Sequence, residues 1–314
     1  MIRRQGAQGR ALALILGLAS AMTVLAACSS TSGESIPQSP ASAPALAEQP
    51  SPGVAPAAEV TISTDSLTGH IHNVVLHGGT IFLGTHDGIW SQLHGQQPQR
   101  VSAEGFDVMG LTRTGSTWLA SGHPGPEMQA PANLGLGIST DGGRTWVKGS
   151  LGGQVDFHRL VAQGAVVMGI DSGDGVLWRT DNMGRTWDKF GTPSLFDLAI
   201  APDNTAIVIG TTQNGVVRSL DGGSAFTLDV EGPLLALLSA TADGVYGAGA
   251  DGAIYFSADA GKTWQPRGTV SVQPSALSAE GSTVVALVGN VAMESRDGGR
   301  TFHDRLSING IERH

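Results

Sequence analysis

From about residue 70 onward, apolar and polar residues alternate in runs of four to eight, and glycine, asparagine or aspartate closes each run. Alternation of this kind marks short strands with one buried face. The runs fall into groups. Innermost strands are expected at 71–77, 108–114, 159–163, 198–201, 234–240 and 275–279, and second strands at 81–85, 117–121, 165–170, 206–211, 245–249 and 283–288. Third strands at 89–92, 175–179, 216–219, 254–257 and 291–295 lead into a turn whose fullest form is Ser-x-Asp-x-Gly-x-Thr-Trp. Its aspartates are read as Asp141, Asp181, Asp221, Asp259 and Asp297, spaced 40, 40, 38 and 38 residues apart. A period near 40 with four strands inside it is the signature of a propeller blade. Six inner strands predict an all-β, six-bladed β-propeller rather than one of seven blades.

Each recurring turn joins the third strand to the fourth. Its aspartate is placed to accept hydrogen bonds from amides just ahead of it, glycine supplies unusual dihedrals, and the closing Trp146, Trp187, Trp264 or Phe302 packs back between strands. These aspartates recur with the architecture, so they are read as structural. The fourth copy has Ala225 in place of threonine, and the first blade has no copy.

The chain's ends read differently. Arg3, Arg4 and Arg10 precede an apolar run over 11–25, too short and wrongly flanked to span a membrane, which marks an export signal over 1–27. Residues 28–58 are rich in Ser, Pro, Ala and Gln and cannot bury enough apolar surface to fold, so they are expected to be a disordered tether before a propeller over 59–314. With a single cysteine, no intrachain disulfide can form. Removing the three leader arginines from the 18 basic residues leaves 15 against 27 acidic ones, a net charge near −12. Nucleic acid and anionic lipid headgroups are therefore poor partners, and no nucleic-acid partner is expected.

Leu25-Ala26-Ala27-Cys28 resembles the lipobox of bacterial lipoproteins. The resemblance implies that Cys28 carries a lipid and holds the protein to the outer face of the cell membrane. The five turns resemble those of the Asp-box (BNR) propellers, which include sialidases, xyloglucan-degrading hydrolases, sortilin-type receptors and photosystem II assembly factors. More specifically, His70-Ile71-His72, Gly84-Thr85-His86-Asp87-Gly88, Asp107-Val108-Met109-Gly110, Ser121-Gly122-His123-Pro124-Gly125 and Asp156-Phe157-His158 look like an actinobacterial family of propeller lipoproteins labelled glycosylhydrolase or exo-sialidase-like. That label follows the fold and is not evidence of catalysis. A sialidase needs an arginine triad and a tyrosine nucleophile with a glutamate partner. Only Tyr246 and Tyr255 are present, and most arginines lie in or beside the turns, so true sialidase activity is not expected.

In a four-stranded blade, the loops leading into the inner strand and those joining second to third strands share one face, and the aspartate turns lie on the other. The loop face has its own chemistry. Seven of the nine histidines precede residue 160, and His70, His72, His86, His123 and His158 map to that face of blades one to three. The longest insertion, 122–134, adds Glu127 and Met128. Two residues apart on a strand, His70 and His72 are expected to point to one side. Imidazoles with Asp107 or Asp156 suit a transition metal, and Met109 and Met128 would favour copper over zinc. The reading is a ligand site, with a transition metal (zinc or copper) as the candidate cofactor, or a site for an envelope protein or glycan. Two alternatives stand beside it: a glycoside hydrolase drawing its carboxylates from Asp107, Asp156, Asp197 and Glu127, and an assembly factor with no reactive site. His77, His94, His303 and His314 are read as ordinary surface residues.

Overall fold

A computed structural model of the protein describes residues 67, 70–191, 193–229 and 231–308. The expected leader, tether and Cys28 lie outside the described residues, as does 58–64, a candidate extra outer strand on the last blade. Every element described is a strand, and no helix among the described residues is long and apolar enough to cross a membrane.

Twenty-four strands form six four-stranded antiparallel sheets, each running in chain order from inner to outer strand. The inner strands are Ile71–His77, Phe106–Thr114, Phe157–Gln163, Asp197–Ala201, Leu235–Thr241 and Ala276–Glu280. Each packs against the next, and the last packs against the first, so the ring closes on itself as a six-bladed β-propeller. The expected strands at 71–77, 283–288 and 291–295 match those observed to the residue.

Apolar residues bury between blades. Ile81, Leu83 and Trp90 of the first blade pack with Ala276, Val285 and Leu287 of the sixth, and comparable clusters fill the other seams. Fully burying such a side chain is worth about 1.5–3 kcal/mol. Polar side chains on inner and second strands then fix the blades' relative height. Ser121 Oγ accepts from Phe157 N, Asp197 Oδ2 from Leu238 N, Ser239 Oγ from Ala279 N and Ser278 Oγ from Leu76 N.

The aspartate turns join third to fourth strands and tie each blade to the one before it. In the first copy, Asp141 Oδ1 accepts from Ser139 Oγ and from the amides of Arg144 and Thr145, while Oδ2 accepts from Thr145 Oγ1. Gly143 and its counterpart Gly299 nestle against Ile89 and Ile254 of the preceding blades. One expectation is corrected. In the second copy the acceptor is Asn182, which takes the hydroxyl of Thr180 and the amide of Thr186, whereas Asp181 points away to Arg179 at 2.7 Å. Asn and Asp offer the same Oδ1 acceptor, so the turn survives the exchange.

With no aspartate turn in the first blade, the closing seam uses a different device. Arg305, in the outermost strand of the sixth blade, donates to the side chain and the carbonyl of Gln92 and to Gly79 O, and pairs with Glu294 at 3.0 Å. Its side chain is 1% exposed and that of Glu294 is 8% exposed.

Candidate metal centre

Four inner strands are irregular at their entrances, those of blades one to three and that of blade five, where Ala236 is bypassed. Ile71 pairs with Thr85 and Asn73 with Gly84, which leaves His72 without a cross-strand partner. Met109 is bypassed in the same way between Val108 and Gly110, and His158 between Phe157 and Arg159. A β-bulge of this kind re-aims the extra residue and often sits beside a site. The regular alternation assumed for His70 and His72 therefore fails: His70 precedes the strand and His72 is the bulged residue. Their rings still meet, with centroids 4.8 Å apart.

The histidines gather into two clusters, each built on one aspartate. In the first, His72 Nε2 lies 3.2 Å and His86 Nδ1 3.1 Å from Asp107 Oδ1, and the two nitrogens are 3.4 Å apart. His70 stands beside them, its ring centroid 6.0 Å from that of His86. In the second, Asp156 Oδ2 lies 2.7 Å from His158 Nε2 and 3.4 Å from His123 Nε2, and accepts the hydroxyl of Ser172 at 2.8 Å. In each group the ligand-type atoms all lie within 4.8 Å of one another.

Two members of each cluster correspond after a shift of one blade, whereas the third does not: His72 comes from the blade before Asp107, and His158 from the same blade as Asp156. Asp107 and Asp156 each precede the apolar residue, Val108 or Phe157, that stands just before its strand's bulge. Thr85 and Gly122 hold equivalent strand positions, so His86 and His123, which follow them, also correspond. Met109 occupies in blade two the bulge that His72 occupies in blade one. It shares a cavity of about 200 Å³ with His70, His72 and His158. Met128 packs among Phe106, Val108 and Trp146, away from metal chemistry. Glu127 is exposed on the insertion and joins neither cluster.

Local structure holds these groups in place. Thr85 Oγ1 bonds Asp87 Oδ1 and Gly88 O, closing the turn that carries His86. Gly122 adopts φ 148°, and a Cβ there would stand 1.9 Å from the carbonyl oxygen of Asp107. Only glycine lets the two strands approach at this point. Asp156 N donates to Asp171 Oδ1, fixing the start of the third inner strand.

Electrostatics favour a cation. Asp107 Oδ1 is buried, and the two short imidazole contacts reach it without hydrogen-bond alignment. Burial pushes the Asp107 carboxyl up, but the proximity of His72 and His86 outweighs this and holds it below its ordinary value. Burial likewise raises the Asp156 carboxyl, and His158 and Ser172 more than reverse the effect. Asp156 Oδ1 is buried with no hydrogen-bond partner among the described residues. His123 Nδ1 faces the carbonyl of Ala132 at 2.9 Å and must carry a proton to bond it. The lone pair of a neutral His123 then sits on Nε2, facing a carboxylate oxygen. Two acceptors so placed need a proton or a metal ion between them, and a backbone carbonyl orienting the far nitrogen is the usual support of a metal-bound histidine.

No family model matches this chain, and no curated protein matches it. Among solved structures, it is similar to the Niastella koreensis GH74 enzyme, with 16% identity, a TM-score of 0.53, and coverage of 76% of this chain and 46% of that one. The extracellular domain of BT4673 from B. thetaiotaomicron matches with 12% identity and a TM-score of 0.50, covering 76% of this chain and 33% of that one. YCF48 from Cyanidioschyzon merolae gives 13% identity and a TM-score of 0.46 over 74% of this chain and 84% of that one. The chain thus spans under half the length of the GH74 enzyme. At these identities the first two likenesses show the β-propeller fold alone.

Proposed function

We propose that the protein is exported, held to the membrane through lipidated Cys28, and binds transition-metal ions on the loop face of blades one to three. The observation carrying this reading is the triangle of His72 Nε2, His86 Nδ1 and Asp107 Oδ1, with edges of 3.1, 3.2 and 3.4 Å. Three donors around a tetrahedral zinc ion at 2.0–2.1 Å stand about 3.3–3.4 Å apart. Two imidazoles and a carboxylate suit zinc, and the second cluster, with Met109 nearby, extends the reading to copper.

The hydrolase alternative is less well supported. A glycosidase acid must hold its proton near neutral pH, whereas Asp107 and Asp156 are both shifted towards the ionised form. Asp197 is shifted up by burial, but its oxygens accept the amides of Leu198 and Leu238, a structural role.

Metal analysis and zinc and copper titration of the full chain test the proposal, with the His72→Ala/Asp107→Asn double variant and His123→Ala alongside. Two ions per chain are expected, with one lost in each variant. A parent chain that retains no metal, or variants that retain as much as the parent, would overturn it.

A further inference from the structure

On the same face, the half of the ring without histidines carries a cleft of about 790 Å³ between blades four, five and six. Its wall includes Leu195, Phe196, Leu234, Leu237, Ala250 and Pro274. Three large apolar side chains at this end are conspicuously open, Phe196 at 50%, Leu234 at 68% and Val272 at 56% exposed. Such clustering of exposed apolar side chains marks an interaction site more often than chance surface, and the volume lies within the ~300–1,000 Å³ of small-molecule sites.

Among the described residues, one charged side chain lines this cleft, that of Arg159. The guanidinium is held by the carbonyls of Phe196 and His158, and its nearest carboxylate, Asp197 Oδ1, stands 3.8 Å away. That carboxylate is buried, its oxygens accept two backbone amides, and at 3.8 Å it makes no hydrogen bond to Arg159 Nε. Backbone groups at the rim are also committed. Phe196 N donates to Thr211 O, Ser275 N to Leu287 O and Asp197 N to Thr211 Oγ1, while Ala236 O accepts from Thr211 Oγ1. An extended peptide, which needs backbone partners along its length, finds few here. A ligand with an apolar tail and one anionic head finds what it requires.

The geometry points to the cleft as a site for a linear monocarboxylate of the fatty-acid class, its alkyl chain lying between Phe196 and Leu234 and its carboxylate paired with Arg159. The site adjoins the proposed metal clusters, because Arg159 lines both the cleft and the cavity of His70, His72 and His158, so it is tested on the full chain after chelation of metals. Calorimetric titration with octanoate, decanoate and dodecanoate should show affinity rising about fourfold per methylene until the cleft is filled. Decanol should bind at least about tenfold more weakly than decanoate. Arg159→Gln should abolish that difference, and Leu234→Asp, at an exposed position, should weaken both ligands with an unchanged melting temperature. Should Arg159→Gln fail to fold, methyl decanoate against decanoate on the parent reads the same charge requirement. Absence of decanoate binding, no dependence on chain length, or an acid preference that survives in Arg159→Gln would overturn the assignment. A Leu-Phe-Leu tripeptide that displaces decanoate at lower concentration would overturn it as well, assigning the cleft to polypeptide.

Discussion

Asp107 and His123 are cross-strand partners, yet they serve different clusters: Asp107 turns to His72 and His86, and His123 turns to Asp156. The two clusters are therefore joined mechanically through one strand pair, whose close approach depends on Gly122 between Val108 and His123. Gly122→Ala should cost more than about 1 kcal/mol from its backbone conformation alone, and more again because the new Cβ overlaps Asp107 O. Both metal equivalents should be lost together, in contrast to the single losses expected from His72→Ala or His123→Ala. Metal titration of the folded variant, with circular dichroism to establish folding, checks this.

The closing seam makes a second prediction. Removing one member of a buried ion pair leaves the other uncompensated and typically costs about 3–5 kcal/mol. Glu294→Ala leaves the buried Arg305 without its carboxylate and should lower the urea midpoint sharply, whereas Arg305→Ala, which leaves Glu294 paired with Arg296 at 3.1 Å, should lower it less. The double variant Arg305→Met/Glu294→Gln should recover much of that loss, because no charge is then stranded.

The recurring turns separate two neighbouring residues by function. Asn182→Ala should cost about 1 kcal/mol by removing the acceptor that organises its turn, while Asp181→Asn, which keeps an acceptor for the buried Arg179 guanidinium, should cost less. Thermal melts of the two variants side by side decide the point. Equal losses would show that the acidic residue, and not the turn geometry, carries the stabilisation.

Acid should unfold the protein through its aspartates. Asp107, Asp141, Asp156, Asp221, Asp259 and Asp297 all have lowered pKa values in the fold. A depressed carboxylate contributes stability above its unfolded pKa of about 3.9 and loses it as pH falls through the folded value. Asp197, raised chiefly by burial, runs the other way: its ionisation costs stability, and protonation relieves that cost. Six against one, the net effect should be falling stability below about pH 5. Urea midpoints from pH 7 to pH 3 should show this decline, with a shallower acid limb for Asp107→Asn/Asp156→Asn.

Much of the fold is legible in the sequence because alternation and turn chemistry are local. The run at 283–288 and its successor at 291–295 sit between glycine-containing turns, and nothing distant alters them. The first blade's bulge is another matter. Whether His72 or Asn73 opposes Gly84 depends on the pairing of two strands, and residue types alone do not set that register. A sequence signal does exist in the repeated step of aspartate or histidine, apolar, then histidine or methionine at His70-Ile71-His72, Asp107-Val108-Met109 and Asp156-Phe157-His158. Aligning those steps places Met109 opposite His72. Counting back five residues from Trp187, instead of matching aspartates, reaches Asn182.

The seam also bears on the order of folding. Arg305 lies 213 positions from Gln92, so at synthesis rates of about 5–20 residues per second the two emerge roughly 10–40 s apart. For that interval the first blade has no neighbour on its outer side, and Ile81, Leu83 and Trp90 face solvent or another chain. An unclosed ring is thus an exposed, self-complementary surface, and a slow final blade would favour exchange of that blade between two copies over closure within one.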